Sequence, residues 1–349
     1  MRLRPFLVVT SAVALVACSD SGSADPATTA GSTAATSSVA DPTSTTAATT
    51  LDGRLAQAYP DPVADPSPAA WQALLADPTL AGVAVTVLEF AGVRDDAGRA
   101  AYSSFVDAIA AAAEARHGHL IGVSDIRRNG LEVPTGYEGG MVWVATFPSR
   151  DAYIDAVLDP SVASAAAGRR DAVVDPYQFV GVNLVPETLL QLPSPGPADD
   201  LPHDLVRGRE VSSLVDELLS IYSDGGPDPT RASLEEMLSR PDMQTQAVSY
   251  VNLYAFSAGD TGAAGITEYN TGALPFVLAH GARPKAVFNV AQQLLGSTEW
   301  NRVIYVRWPS IEVFTDLRLT PGYIEAQKAR VSSSDAYGNL ITVDRADAG

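Results

Sequence analysis

The sequence of 349 residues contains one cysteine and almost no lysine. The single thiol, Cys18, excludes a disulfide within the chain, and its place near the N-terminus excludes a cysteine nucleophile in the folded body. The lysines are Lys285 and Lys328 only, and the formal net charge is -18. Because an acidic chain without a basic stripe repels phosphate backbones, nucleic acid is excluded as a partner.

The chain also lacks the short motifs of the common enzyme classes. It has no G-x-S-x-G, no H-E-x-x-H, no phosphate-binding glycine loop and no G-x-G-x-x-G after an apolar strand. His117 and His119 lie two residues apart, without Asp, Glu or Cys at the spacing that a zinc site requires. The sequence therefore predicts no metal and no cofactor, and it identifies no catalytic residue.

The N-terminus is typical of an export signal. Arg2 and Arg4 precede the apolar run from Phe6 to Val16, which is too short for a membrane-spanning helix. The run ends in Leu15-Val16-Ala17-Cys18, which is similar to the lipobox of bacterial lipoproteins, in which the cysteine is acylated. Residues 1–18 are thus predicted to be a lipoprotein signal ending at lipidated Cys18; the alternative is an ordinary secretory signal with a chance cysteine.

Residues 19–50 consist almost entirely of Ser, Thr and Ala. Such a segment cannot bury enough apolar surface to order itself, so it is predicted to be a disordered tether. The expected location is the cell envelope, with the exported body attached to a membrane through its N-terminal lipid. Neither the side of the envelope nor further oligomerisation follows from the sequence.

The body of the chain carries a repeated pattern. The stretch TFPSRDAY, Thr146–Tyr153, has a counterpart in RWPSIEVF, Arg307–Phe314, at an offset of 161 residues. Other matched pairs have offsets that drift by a few residues within predicted loops, which is typical of an old duplication. The pairs include Arg169 with Arg330, Pro78 with Pro241, His117 with His280 and Phe90 with Phe256.

Each copy reads strand, helix, strand, strand, helix, strand by its apolar periodicity. This order predicts an α+β fold of two ferredoxin-like βαββαβ repeats. The first repeat is expected at 71–185 and the second at 232–345, joined by a linker at 186–231 that contains a helix. Ser149 and Ser310 are the expected N-caps where the third strand leads into the second helix.

These motifs resemble those of the domain-of-unknown-function 1330 family, within the dimeric α/β-barrel superfamily. The resemblance rests on Y-x-x-F in the first helix, on aromatic-Pro-Ser followed by D-A-Y or E-V-F, on L-D-P-S-V or L-T-P-G-Y, and on Arg169 and Arg330. In that superfamily two ferredoxin-like sheets pack face to face as a barrel, usually from two chains. The resemblance implies that one chain supplies both sheets as an intramolecular pseudo-dimeric α/β barrel.

Strand alternation predicts which side chains face the barrel interior. In the third strands the apolar set expected against the helices is Trp143, Ala145 and Phe147 with Ile304, Val306 and Trp308. In the first strands it is Val85 and Val87 with Val251 and Leu253. The opposite faces then direct Asn252, Tyr254, Tyr305 and Arg307 at a common interior in the second repeat.

A buried guanidinium must be paired or hydrogen-bonded, so Arg307 is expected either to meet an internal carboxylate such as Glu89 or to bind an acidic ligand. The four interior residues Asn252, Tyr254, Tyr305 and Arg307 form the predicted ligand site. The leading hypothesis is a membrane-anchored lipoprotein whose barrel binds a small ligand or partner. The alternative is a cofactor-independent monooxygenase-like enzyme acting on a small phenolic or anionic substrate, and a third possibility is a structural envelope protein with a filled barrel.

We predict that Cys18→Ala abolishes lipid labelling and releases the protein from membranes, because the variant lacks the only thiol that could carry the acyl chains. Metabolic labelling with an alkyne fatty acid, followed by membrane fractionation, measures both effects. Labelling that persists in the variant would contradict the assignment of Cys18.

Overall fold

A computed structural model describes residues 50–129, 137, 139–190, 192, 200–222, 230–257 and 260–345. All of them fall within one compact unit, Thr46–Gly349. The predicted signal, Cys18 and nearly all of the predicted tether lie outside the described residues.

Eight antiparallel strands close into a barrel in the order β1-β3-β2-β8-β5-β7-β6-β4, with β4 paired again to β1. Twelve α-helices lie among the described residues, so the fold is α+β. The strands are β1 (Val85–Val93), β2 (His119–Asn129), β3 (Met141–Phe147), β4 (Val173–Gly181), β5 (Val248–Phe256), β6 (Arg283–Leu295), β7 (Arg302–Trp308) and β8 (Ser334–Asp344).

The strands fall into two sets that are contiguous in sequence. The first strand set, β1 to β4, pairs in the order β4-β1-β3-β2, and the second strand set, β5 to β8, pairs in the order β8-β5-β7-β6. Two seams join the sets edge to edge: β2 pairs with β8, and β4 pairs with β6. This arrangement differs from the expected packing of two sheets face to face, and it leaves none of the eight strands with an unpaired edge.

The helices lie outside the strands and in the connections. Hydroxyl caps begin several of them: Ser149 Oγ accepts from the backbone N–H of Ala152 at 3.1 Å, and Ser310 Oγ accepts from that of Val313 at 3.3 Å, which confirms both predicted N-caps. The helices are α1 (Leu51–Ala58), α2 (Pro68–Ala76), α3 (Asp96–Glu114), α4 (Arg150–Val157), α5 (Pro160–Ala172), α6 (Glu187–Leu190), α7 (Val211–Tyr222), α8 (Arg231–Ser239), α9 (Pro241–Thr245), α10 (Asp260–Ala279), α11 (Ile311–Leu319) and α12 (Pro321–Val331).

Apolar side chains form three clusters. One fills the barrel interior and includes Leu88, Phe90, Phe179 and Phe288. The second lies between the first strand set and α1 to α5, and the third lies between the second strand set and α7 to α12. Among the described helices, none is long and apolar enough to cross a membrane.

Strand alternation assigns most faces correctly and one strand wrongly. Trp143 and Ile304 face the helices, and Val144 and Val303 face the interior, as expected for β3 and β7. In β5 the faces are reversed, because Val251 and Leu253 belong to the interior cluster while Tyr250 and Tyr254 pack with the helices.

The reversal in β5 has a simple cause in the alignment of the two strand sets. Val85 pairs with Phe147 in β3, and Val248 pairs with Trp308 in β7, so β1 and β5 correspond at an offset of 163. The predicted match of Phe90 with Phe256 has an offset of 166 instead. An error of three residues is odd, and an odd shift moves every side chain to the opposite face.

A matched pair of glycine substitutions tests the seam between β4 and β6. A Cβ at Gly181 would lie 2.3 Å from the carbonyl oxygen of Asn289 on β6, whereas a Cβ at Gly168 on α5 would have no neighbour nearer than 3.5 Å. We predict that Gly181→Ala lowers the free energy of unfolding by about 2 kcal/mol. Gly168→Ala should raise it by about 0.5–1 kcal/mol, since alanine favours the helix.

Urea denaturation of both variants measures the two changes. A Gly181→Ala protein as stable as the wild type would show that the strands do not approach this closely.

Candidate functional site

The four residues predicted to share a ligand site lie on two different faces. Tyr305 and Arg307 are on the interior side of β7, where Tyr305 is 3% exposed. Asn252 and Tyr254 lie on the outer side of β5, where Tyr254 packs against the helices and its ring centroid is 5.2 Å from that of Tyr337. The structure therefore does not bring Asn252 and Tyr254 to the barrel interior, and that part of the prediction is wrong.

Arg307 has an internal partner, Asp344 at the end of β8. Its Nε donates to Asp344 Oδ2, while Asp344 Oδ1 accepts from Ser124 Oγ at 3.1 Å and from Ser249 Oγ at 2.8 Å. The Tyr305 hydroxyl lies 3.1 Å from Ser124 Oγ. The charge of Arg307 is thus balanced within the chain, by Asp344 and not by Glu89.

Burial raises the pKa of Tyr305 to about 12, and the nearby carboxylate of Asp344 acts in the same direction. The phenol therefore stays protonated at neutral pH. Beyond this polar group the interior is apolar, and its buried side chains include Leu88, Phe90, Ile126, Val142, Val144, Phe179, Val251, Leu253, Ala286, Phe288, Val303 and Leu340. Most of the barrel is consequently a packed core.

A second polar cluster is buried on the outer face of β1. Glu89 Oε1 accepts from the Tyr102 hydroxyl at 2.8 Å and from Arg169 Nε at 2.8 Å, and Glu89 Oε2 accepts from Gln178 Nε2 at 2.6 Å. Glu89 is 0% exposed and Arg169 is 2% exposed. These bonds connect β1, α3, α5 and β4 across the space that the helices cover.

Asp65 extends this cluster into the N-terminal segment. Its Oδ1 lies 3.5 Å from Arg169 Nη1, and its Oδ2 lies 3.3 Å from Arg170 Nη1. Burial raises the pKa of the Asp65 carboxyl, although the backbone N–H of Asp61 and the two guanidinium groups oppose the shift. The cluster therefore contains two carboxylates and two arginines that lock residues 61–65 against α5.

Sequence reasoning did not find this cluster as a unit. The sequence pattern marks Arg169 only as a member of a repeated pair, and it predicts Glu89 as a partner of Arg307, whereas Glu89 binds Arg169. The available signal was the position of Glu89 in an otherwise apolar strand, on the same alternating side as Val85 and Val87. A carboxylate at that position has to meet a buried cation or hydrogen-bond donors.

A cleft of about 350 Å³ opens beside the Asp65 end of this cluster. Three distant segments form its walls: 62–67, 175–177 and 293–297. Its apolar surface comes from Pro62, Val63, Pro176, Leu294 and Leu295, and its polar surface comes from Asp65, Ser67, Asp175, Tyr177, Gln293 and Ser297.

Hydrogen bonds fix the polar side of the cleft. The Tyr177 hydroxyl lies 3.0 Å from Ser297 Oγ, and Gln293 Nε2 donates to the Thr298 carbonyl at 2.8 Å. Gly296 has φ +119°, and a Cβ there would lie 2.2 Å from the Tyr177 ring, so a glycine is required. Asp175 has a φ of 45° without being glycine, a strained conformation of the kind that concentrates at ligand sites.

The chemistry of the cleft is that of a binding surface. Its lining carboxyls are Asp175, which is exposed, and Asp65, which is buried and paired with Arg169 and Arg170. Among the described residues that line the cleft there is no arginine, lysine or histidine. Within the described part of the chain, no group of three or more His, Cys, Asp or Glu side chains could hold a metal ion. The cleft therefore suits hydrogen-bond donors and positive charge.

Neither the comparison with protein-family models nor the comparison with curated proteins finds a match. Among solved structures, a candidate monooxygenase from Fusobacterium nucleatum subsp. nucleatum is 6% identical over 76% of this chain and 93% of that one, with a TM-score of 0.44. Chlorite dismutase from Candidatus Nitrospira defluvii, in complex with imidazole, is 12% identical over 79% of this chain and 94% of that one, with a TM-score of 0.37.

A protein of unknown function from Rhodopseudomonas palustris is 20% identical over 34% of this chain and 95% of that chain, with a TM-score of 0.30. Likeness at this level carries no argument about activity. The fold described above rests on the strand pairing of this chain itself.

The ion pairs of Arg169 with Glu89 and of Arg307 with Asp344 should contribute differently to the free energy of unfolding. Arg169→Met leaves Glu89 buried without a cation and Asp65 with Arg170 alone, so we predict a loss of about 3–5 kcal/mol in the free energy of unfolding. Arg307→Met should cost about 1 kcal/mol or less, since the Arg307 side chain is 43% exposed and Asp344 retains two serine donors.

Urea denaturation of both variants at neutral pH compares the two losses directly. Equal losses would contradict the assignment of the stronger structural role to Arg169.

Proposed function

We propose that the folded body is a binding module that holds a small neutral or cationic ligand in the cleft between residues 62–67, 175–177 and 293–297. The observation that carries this proposal is a cleft of about 350 Å³ that combines apolar walls with a few fixed polar groups. Small-molecule sites have this composition, and their volumes begin at about 300 Å³.

The apolar walls would supply most of the affinity. Val63 at the cleft is 78% exposed, so a ligand that covers it removes apolar surface from water. The Tyr177 and Ser297 hydroxyls, already bonded to each other, would orient a ligand that donates or accepts a hydrogen bond.

Charge favours one class of ligand. Asp175 is an exposed carboxylate of the lining, and the whole chain has a formal net charge of -18. An anionic ligand would meet repulsion from both the lining and the surface, whereas an amine or an alcohol would not. This argument favours ligands with a protonated amine or with hydroxyl groups.

The monooxygenase-like alternative stays a prediction of the sequence. It needs polar side chains that converge inside the barrel, but Asn252 and Tyr254 lie outside it and Arg307 is paired with Asp344. Among the described residues, no feature of the interior favours that activity over the apolar core that fills it.

The proposal includes the attachment of this module to a membrane. The lipobox-like Leu15–Cys18 and the Ser/Thr/Ala composition of 19–50 support an exported lipoprotein in which a flexible tether carries the body. In such an arrangement the binding module would work at the cell envelope, on ligands outside the cytoplasm.

We also propose that the body arose by duplication of a unit similar to the domain-of-unknown-function 1330 family, with copies at 71–185 and 232–345. The support is the shared pairing order of the two strand sets and the offset of 163 that relates Val85 to Val248. An intramolecular pseudo-dimer would explain why one chain closes a barrel of eight strands.

Blocking the cleft tests the proposed binding. Saturation-transfer NMR with benzylamine and benzyl alcohol as probes should give saturable signals with the wild-type protein. Ser297→Trp, which places an indole in the cleft mouth, should weaken binding at least about tenfold. The matched control Ser104→Trp, on an exposed turn of α3, should leave it unchanged.

The proposal fails if neither probe binds the wild-type protein, or if Ser297→Trp binds both as tightly as Ser104→Trp does. Circular dichroism of the two variants verifies that each is folded.

A further inference from the structure

We propose a second, independent binding site: Arg330, on α12 over the outer face of the second strand set, recognises a small carboxylate. Nothing in this proposal depends on the cleft. It rests on a comparison of two arginines that occupy corresponding places in the two strand sets.

Arg169 and Arg330 have the same position relative to their helices and sheets. Arg169 lies nine residues after Pro160, the first residue of α5, and Arg330 lies nine residues after Pro321, the first residue of α12. Each is at least nine-tenths buried, with exposures of 2% and 8%.

The sheets beneath these arginines differ in charge. In the first strand set Glu89 pairs with Gln178 across β1 and β4, and Glu89 binds Arg169. In the second set the corresponding pair across β5 and β8 is Asn252 with Asn339. A carboxylate has been replaced by an amide, so the guanidinium above it has no counter-charge in the sheet.

No other described residue supplies that counter-charge. Arg330 Nε donates to Gln327 Oε1, and its guanidinium carbon lies 4.3 Å from the Tyr337 ring centroid. Within the described residues no ion pair joins Arg330 to a carboxylate, and its side-chain hydrogen bond is the one that Nε donates to Gln327 Oε1. Gln327 is a neutral amide, so the positive charge stays uncompensated.

The surrounding phenols do not provide the missing anion. Burial raises the pKa of each of Tyr254, Tyr269 and Tyr323 above its ordinary value, so all three phenols stay neutral at physiological pH. The hydroxyl oxygens of Tyr269 and Tyr323 lie 3.1 Å apart, and Gln327 Nε2 donates to the Tyr269 hydroxyl at 3.2 Å. A ring of neutral polar groups therefore surrounds one buried cation.

The outer face is more open here than at Glu89. Glu89 and Gln178 are 0% and 5% exposed, whereas Asn252 and Asn339 are only partly buried. The Tyr337 hydroxyl donates to Asn252 Oδ1 at 2.5 Å, and Asn339 Oδ1 is buried without a hydrogen-bond partner. The amide pair that replaces the first set's carboxylate is thus partly exposed as a pair of residues, although Asn339 Oδ1 itself is buried.

These features select a small planar anion. A buried guanidinium is unfavourable unless it is paired, and its two terminal nitrogens match the two oxygens of a carboxylate. The acidic protein as a whole would repel polyanions, so the site suits a ligand with one negative charge.

Titration with trifluoroacetate, followed by ¹⁹F NMR, tests the proposal on the intact body. The wild-type protein should broaden the fluorine signal in a saturable way, and Arg330→Gln should weaken binding at least about tenfold. Arg231→Gln, which removes an exposed arginine paired with Asp216, is the control and should bind as the wild type does.

Asn252→Glu is the more decisive variant because it installs the carboxylate that Glu89 provides in the first strand set. It should abolish trifluoroacetate binding and raise Tm, since Arg330 then has an internal partner. This variant keeps the test valid even if Arg330→Gln fails to fold.

The proposal is overturned if trifluoroacetate shows no saturable effect on the wild-type protein. It is equally overturned if binding survives in Asn252→Glu or in a folded Arg330→Gln. Ser297→Trp, which blocks the cleft, should bind trifluoroacetate normally; a loss in that variant would assign the signal to the cleft instead.

Discussion

The backbone hydrogen bonds at the two seams determine most other features of this molecule. Each strand set has two edge strands whose N–H and C=O groups need partners, and the β2–β8 and β4–β6 pairings supply them. Once the seams close, every strand has one face inside and one face outside. The inside is filled by apolar side chains, and polar groups are left at the barrel end, beneath the helices or in the connections.

Charge compensation is the feature in which the two strand sets differ most. In the first set, Glu89 and Asp65 balance the buried Arg169 and the partly exposed Arg170 in a cluster that holds the N-terminal segment in place. In the second set, Arg330 faces an amide pair and neutral tyrosines. The same helix position therefore carries an ion-paired arginine in the first set, and in the second set an arginine held by a neutral amide and an aromatic ring without a carboxylate partner.

The two proposed sites follow from elements that the barrel does not itself require. The cleft needs the segment 62–67, which reaches its place because Asp65 binds the arginines of α5. The site at Arg330 needs α12, which carries Arg330 and Tyr323, and Tyr269 of α10. Their opposite electrostatic character suggests two ligands of different charge, one neutral or cationic and the other a small carboxylate.

The sequence by itself determined the local features: the order of strands and helices, the caps at Ser149 and Ser310, and the faces of β1, β3 and β7. These depend on periodicity and on neighbours within a few residues. The tertiary structure decided which distant strands pair and in which register. It placed the faces of β5 opposite to the prediction, and it paired Arg307 with Asp344 and Glu89 with Arg169. It also formed the cleft from three segments, of which the first and the last are more than 100 residues apart in the sequence. Pairing across such distances depends on register and closure, because one odd step in alignment exchanges the two faces of a strand while its apolar pattern looks equally acceptable.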